Sequence, residues 1–208
     1  MSGTAQIFSY MAALGLAAAI PGPGMTALVA RSVSGGAITG FTMLTGLILG
    51  DLIYLSTAVF GLAVVAHSFT PLFTLINWAA ALYLCWLAWQ FWKHNPQAID
   101  IDQRTSRKEL ASAWFSGLTI TLGNPKTMAF YLAILPLVMS LDNVSLRVWG
   151  TMLVPLTILV LLAVGAVFIL AALRIRHLLT SARAQKILFR SAGAIMLLAA
   201  AGMVAKTL

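Results

Sequence analysis

The 208-residue chain is 61% hydrophobic and only 9% charged, where a soluble domain carries about 25% charged residues. Its 13 Lys and Arg with 5 Asp and Glu cannot cover the surface of a water-soluble fold, and a mean hydropathy of +0.95 points to a surface that faces lipid. The same inventory excludes whole classes of function. A single cysteine, Cys85, rules out an internal disulfide or a two-thiol redox relay. No G-x-x-x-x-G-K-S/T motif is present for an ATPase. His67, His94 and His177 are scattered without metal-ligand spacing, so no metal or cofactor is expected.

A helix crosses the hydrocarbon layer with about 20 apolar residues, and the sequence offers six such runs. Uninterrupted runs of this length are helices, not the alternating segments of a barrel. The first runs from about Ala5 to Ala30 without a charge. The first basic residue of the sequence is Arg31, after this run, so the run lacks the positive start of a cleaved signal and is expected to stay as a span. It contains the strongest helix breaker of the N-terminal half, Ile20-Pro21-Gly22-Pro23-Gly24.

The second run, Ile38 to Ala66, is interrupted only by Asp51, and carries Gly46 and Gly50 at the spacing that lets helices approach closely. Those glycines, with Gly193, Ala200, Ala201 and Gly202 further on, suit internal packing or a homodimer equally. The third run, Pro71 to Trp92, ends in Trp89 and Trp92, the aromatic signature of a membrane interface. A charged linker follows, 94–110, in which Ser106 and Glu109 have capping-box spacing and predict a helix start.

Run four, Ala111 to Leu141, opens on Trp114 and holds a second breaker, Leu122-Gly123-Asn124-Pro125-Lys126. Run five covers Val148 to Leu173 and run six Ile187 to Ala205, with Arg190 snorkelling to the headgroups. Ten Lys and Arg fall in the connections after runs one, three and five, against Arg147 and Lys206 on the other side. The positive-inside bias therefore places those connections in the cytoplasm and both termini outside. The net charge of +8 is then an orientation signal with some attraction for anionic lipid, and no nucleic-acid partner is implied.

Aligned on their prolines, Gly22-Pro23-Gly24-Met25-Thr26-Ala27 and Asn124-Pro125-Lys126-Thr127-Met128-Ala129 form a weak internal repeat. Three spans separate the copies, an odd number, so the expected architecture is an all-α membrane protein of six spans. These would form an inverted 3+3 repeat, 1–93 and 111–208, with helices one and four broken. Paired breaks at corresponding positions mark a transporter's binding site, because an opened helix frees N–H and C=O groups that a substrate can satisfy. Asp51 and Lys126 each cost about 2.5–3.5 kcal/mol inside a membrane, so they call for a function or a partner.

Together the Pro21-Gly22-Pro23-Gly24 break, the Gly50-Asp51-Leu52 segment and the Gly123-Asn124-Pro125-Lys126 break resemble the lysine exporter superfamily. The similarity is to its homoserine, threonine and neutral amino-acid exporter branch, and it extends over essentially the whole chain. It implies a secondary exporter of amino acids or close derivatives in a bacterial inner membrane. The superfamily branch that moves electrons through paired cysteines is set aside by the solitary Cys85.

On this reading Pro21, Gly22, Pro23, Gly24 and Thr26 of one break, and Asn124, Pro125, Lys126 and Thr127 of the other, bind a small zwitterion. Half-helix N-termini face the substrate's carboxylate, and Asp51 exchanges a proton or other coupling ion. One proton crossing 100 mV supplies about 2.3 kcal/mol and each pH unit about 1.4, enough for a tens-fold substrate gradient. The opposing expectation is a passive channel or structural subunit in which Asp51 and Lys126 form a static pair.

Overall fold

The computed structural model describes residues 3–60, 106–131, 144–176 and 182–205, with the isolated positions 78, 82, 85, 86, 88, 89, 91–93 and 135. Most of the expected third span and of the 94–110 linker lies outside the described residues, as do His67, His94 and His177. Every described element is helical.

Helix α1 spans Gly3–Ala19 and stops where Pro21 removes the next backbone donor. Helix α2 spans Pro23–Val59, with extended Gly22 as its N-cap and Pro23 in its first turn. Inside α2, Gly36 adopts φ 76° and ψ −170°, a left-handed conformation open to glycine, and there the chain doubles back. A Cβ on Gly40 would strike the Ser32 hydroxyl, and one on Gly24 would lie 3.1 Å from the Leu47 tip. Ser32 and Gly40 sit four residues either side of Gly36, and Gly24 and Leu47 twelve and eleven, the pairing of an antiparallel hairpin. The expected first span is thus α1, a break and the 23–35 arm, and the second span begins after a turn of two glycines.

Helix α3, Arg107–Leu122, begins with the expected capping box. The Ser106 hydroxyl accepts from Glu109 N at 3.2 Å while the Ser106 N–H donates to the Glu109 carboxylate at 2.8 Å. That backbone donor, joined by the Ser106 hydroxyl, holds the Glu109 carboxyl below its usual range. After the break at Gly123 and Asn124 comes the short α4, Pro125–Ala129, which continues into a π turn at Phe130 and Tyr131.

The next span is made of α5, Leu146–Val148, a π segment at Trp149–Leu153, and α6, Val154–Arg176. Helix α7, Ala182–Ala205, closes the described chain. Pro23–Val59 and Leu146–Ile175 are each long and apolar enough to cross a membrane.

Packing fixes how these helices lie. Gly46 meets the Trp114 carbonyl and Gly50 the Thr121 side chain, so the 37–59 arm and α3 run side by side in the same direction. Gly117 returns the contact onto the Met43 carbonyl. The closely spaced glycines of α2 therefore serve internal packing, the first of the two uses open from sequence. Gly165 admits Leu44 to α6, Gly15 of α1 faces Val160, and Gly193 of α7 lies against the Ala88 carbonyl.

The buried core of Leu28, Met43, Leu44, Leu55, Ile120, Leu153 and Ile169 joins α2, α3, the π segment and α6. The outside is apolar as well: Phe8, Leu16, Val167 and Leu198 are each at least 66% exposed, a distribution suited to lipid and adverse in water.

Candidate functional site

The two breaks sit at about the same depth. From the Gly36 turn back to the first break the 23–35 arm rises about 20 Å, and the 16 residues of α3 rise about 24 Å from the same side. Between them lies a cavity of about 60 Å³. Its wall includes Gly24, Asp51, Asn124, Lys126 and Thr127, together with Leu14, Ala17, Thr121, Phe130 and Leu161.

Five of the sequence-selected residues therefore share one cavity: Gly24, Asp51, Asn124, Lys126 and Thr127. The others shape the breaks themselves. Pro21 has no N–H with which to close the helical bond to the Ala17 carbonyl, and Gly22 is the extended N-cap of α2. Pro23 and Pro125 each stand in a first helical turn, where a missing N–H costs nothing. The Thr26 hydroxyl donates to the Gly22 carbonyl at 2.8 Å, within the first break.

Lys126 answers the gap that Pro21 leaves. Its Nζ donates to the carbonyl oxygens of Ala17 at 2.9 Å and Ile20 at 2.8 Å, so a side chain from the second break caps the C-terminal end of α1. Asp51 and Lys126 face the same cavity, and no ion-pair contact joins them among the described residues. The lysine's donors go to backbone carbonyls.

The second break is closed the same way from the other direction. Asn124 Oδ1 accepts from Lys126 N at 3.1 Å, which takes the donor that would otherwise have closed on Leu122. The Leu122 carbonyl instead receives the hydroxyl of Tyr54 from α2 at 2.5 Å.

Tyr54 was not singled out from the sequence, nor was the group of hydroxyls behind Asp51. Tyr10 and Thr157 meet at 2.5 Å, and the Thr157 hydroxyl donates to the Leu153 carbonyl at 2.6 Å. That leaves Tyr10 as donor to Thr157 and ties α1 to the first turn of α6. Tyr131 is fully buried, and its hydroxyl lies beside Asp51 and Tyr10. The π turn at Phe130 and Tyr131 adjoins the cavity wall, a common location for such turns. Among the described residues no group of three His, Cys, Asp or Glu is placed to hold a metal ion, and Cys85 is exposed.

Known proteins share this sequence pattern. The chain is 30% identical over 199 residues to an uncharacterized membrane protein of Synechocystis, covering 94% of this chain and 93% of that one. It is 26% identical over 127 residues to the uncharacterized membrane protein YahN of Escherichia coli, covering 59% and 56%. Against a leucine efflux protein of Klebsiella pneumoniae it is 23% identical over 131 residues, covering 63% of this chain and 62% of that one. No solved structure matches. The family model for LysE type translocators matches residues 16–207, a stretch that contains both helix breaks, Asp51 and all of the named cavity wall except Leu14, and the chain belongs to that family of membrane-embedded translocators.

Proposed function

We propose that the protein is a secondary active exporter of neutral amino acids or close derivatives, working by alternating access in a bacterial inner membrane and driven by protons. The observation that carries this reading is a cavity between two broken helices, walled by one acidic side chain, Asp51, and by polar groups of the second break. The N-terminal turns at Gly24 and at Asn124 to Thr127 supply partial positive charge for a carboxylate, while Asp51 carries the exchanged proton. Six spans in an inverted 3+3 repeat, with both termini periplasmic, accommodate the parallel α2 arm and α3 and the skew of Lys and Arg toward one side.

Leucine efflux proteins among the relatives favour an amino-acid substrate. A neutral one is preferred on physical grounds. A lysine or arginine substrate would need an acid for its side chain in addition to Asp51, and the cavity wall has no second one.

Counterflow in liposomes tests the reading. Liposomes containing the protein and preloaded with an unlabelled neutral amino acid should draw labelled amino acid inward against its gradient, with a rate that responds to an imposed pH difference. A passive channel, or a structural subunit, gives no counterflow. Expression should also relieve the sensitivity of cells to an excess of that amino acid. Robust lysine export with no response to threonine, homoserine or leucine would overturn the assigned substrate class.

A further inference from the structure

The geometry points to a primary-ammonium subsite at the C-terminal end of α1, formed by the carbonyl oxygens of Ala17 and Ile20, where the Lys126 ammonium stands in for a substrate's α-ammonium. The inference rests on the reading that an amino acid enters the cavity between the breaks, and it assigns the end of the molecule that the half-helix N-termini do not serve.

Pro21 creates the subsite. Without its N–H the Ala17 carbonyl has no helical partner, and the last carbonyls of α1 carry the negative end of the helix dipole. Two carbonyls converge on one nitrogen at 2.9 and 2.8 Å, a geometry that selects a small cation with several N–H donors. Gly22 lies directly against the lysine, since a Cβ there would be in van der Waals contact with Lys126 Nζ at 3.4 Å. Ala17 and Lys126 both line the cavity, so the bond between them faces the space where a substrate would sit.

An α-ammonium carries the same –NH3+ donors as the lysine. Exchanging one for the other leaves neither carbonyl unpaired, which removes the main energetic obstacle to binding. The displaced lysine is a compact, flexible charge on a long stem, and it meets the incoming carboxylate beside Asn124. Substrate recognition then becomes a swap: the tethered cation leaves the carbonyls for the carboxylate as the free one arrives. A quaternary ammonium has no N–H to offer the carbonyls and an N-acyl derivative has no charge, so both are excluded from the subsite.

The test uses the full chain in detergent with Lys126→Met, which keeps the apolar stem and removes the charged head. Ethylammonium chloride should raise the melting midpoint of this variant saturably, by about 3–6 °C at ten times its dissociation constant. Tetramethylammonium chloride at equal ionic strength should leave it unmoved. The wild-type chain, with its tethered cation in place, should respond at least tenfold more weakly. Equal responses to the two cations, or none, overturn the subsite.

If Lys126→Met does not survive purification alone, its folded yield with each of the two salts present gives the same comparison: recovery with ethylammonium only supports the subsite, and equal yields overturn it. No transport is required for this readout. Amine binding without counterflow would therefore refute the exporter reading and keep the subsite, while counterflow without an amine effect would do the reverse.

Discussion

The seam between the 37–59 arm of α2 and α3 gives the most direct check on the packing that brings Asp51 to the second break. Replacing Gly46 with alanine would place a Cβ 2.1 Å from the Trp114 carbonyl oxygen and 3.0 Å from Leu118 N. Both are backbone atoms, so no side-chain rotation relieves the overlap. An ordinary carbon to oxygen approach is about 3.3–3.6 Å, and the two helices would have to part by roughly 1 Å or more. Gly117 meets the Met43 carbonyl in the reciprocal contact, so parting the seam at one glycine disturbs the other.

Two effects oppose each other. Alanine gains about 0.5–1 kcal/mol over glycine in a helix interior, while overpacking between unyielding elements costs about 1–3 kcal/mol. With backbone on both sides of the clash the upper part of that cost applies, and the net loss is about 1–2 kcal/mol, or a fall of roughly 2–8 °C in melting midpoint for a chain of this size. Gly150, with nothing within 4 Å of its added Cβ, supplies the control, and Gly150→Ala should be neutral or slightly stabilising. Thermal unfolding of the detergent-solubilised variants, with light scattering to follow their size, makes the measurement. Equal midpoints for Gly46→Ala and Gly150→Ala would refute the seam, and dissociation of a larger species at unchanged monomer stability would place the glycine face between copies of the chain.

Three further outcomes follow from the site. Gly24→Leu should block counterflow, because it extends a side chain into a cavity of about 60 Å³, whereas Gly24→Ala, which meets the flexible tip of Leu47 and, in ordinary contact, Ile120, should keep most of it; full activity of the leucine variant would remove the cavity from the mechanism. Asp51→Asn should insert and fold normally yet lose uphill, pH-driven export, and retention of pH-driven export would end the coupling role of Asp51. Thr157→Val leaves Tyr10 without its acceptor in a buried site, at a cost of about 1–3 kcal/mol. A drop in midpoint that Tyr10→Phe makes no larger in the double variant is the expected signature, and fully additive losses would show that the two hydroxyls act independently.

Much of this arrangement was legible in the sequence because it depends on residues that act locally. Pro21, Pro23 and Pro125 break or begin helices by their own chemistry, Ser106 and Glu109 cap by spacing, and Asp51 and Lys126 stand out against an apolar background. What was not legible depends on distant neighbours. Tyr54 reaches Leu122 across 68 positions and Tyr10 reaches Thr157 across 147, and a tyrosine in an apolar run looks the same whether it packs, anchors or caps. The glycines at 46 and 50 announced a close helix contact but could not name the partner. The role of Lys126 was half visible: the missing N–H of Pro21 identifies the Ala17 carbonyl as an acceptor in want of a donor, yet only the fold brings the lysine to it.

The caps also make one unit of the two breaks. The carbonyls at the end of α1 are satisfied by Lys126 from α4, and the carbonyl at the end of α3 by Tyr54 from α2. Each break is therefore closed by a side chain belonging to the other side of the cavity, and separating the two takes these donors from the part-buried bonds of the Ala17 and Leu122 carbonyls and from the exposed Ile20 carbonyl. The two caps differ in kind. Tyr54 donates a single neutral hydroxyl, for which a zwitterion carries no equivalent, so it holds the second break whether or not the cavity is filled. Lys126 donates from a charged ammonium, which an amino acid reproduces. An arriving substrate can thus replace one cap and not the other, which makes the end of α1 the part of the site that answers to substrate and the end of α3 the fixed point against which it moves.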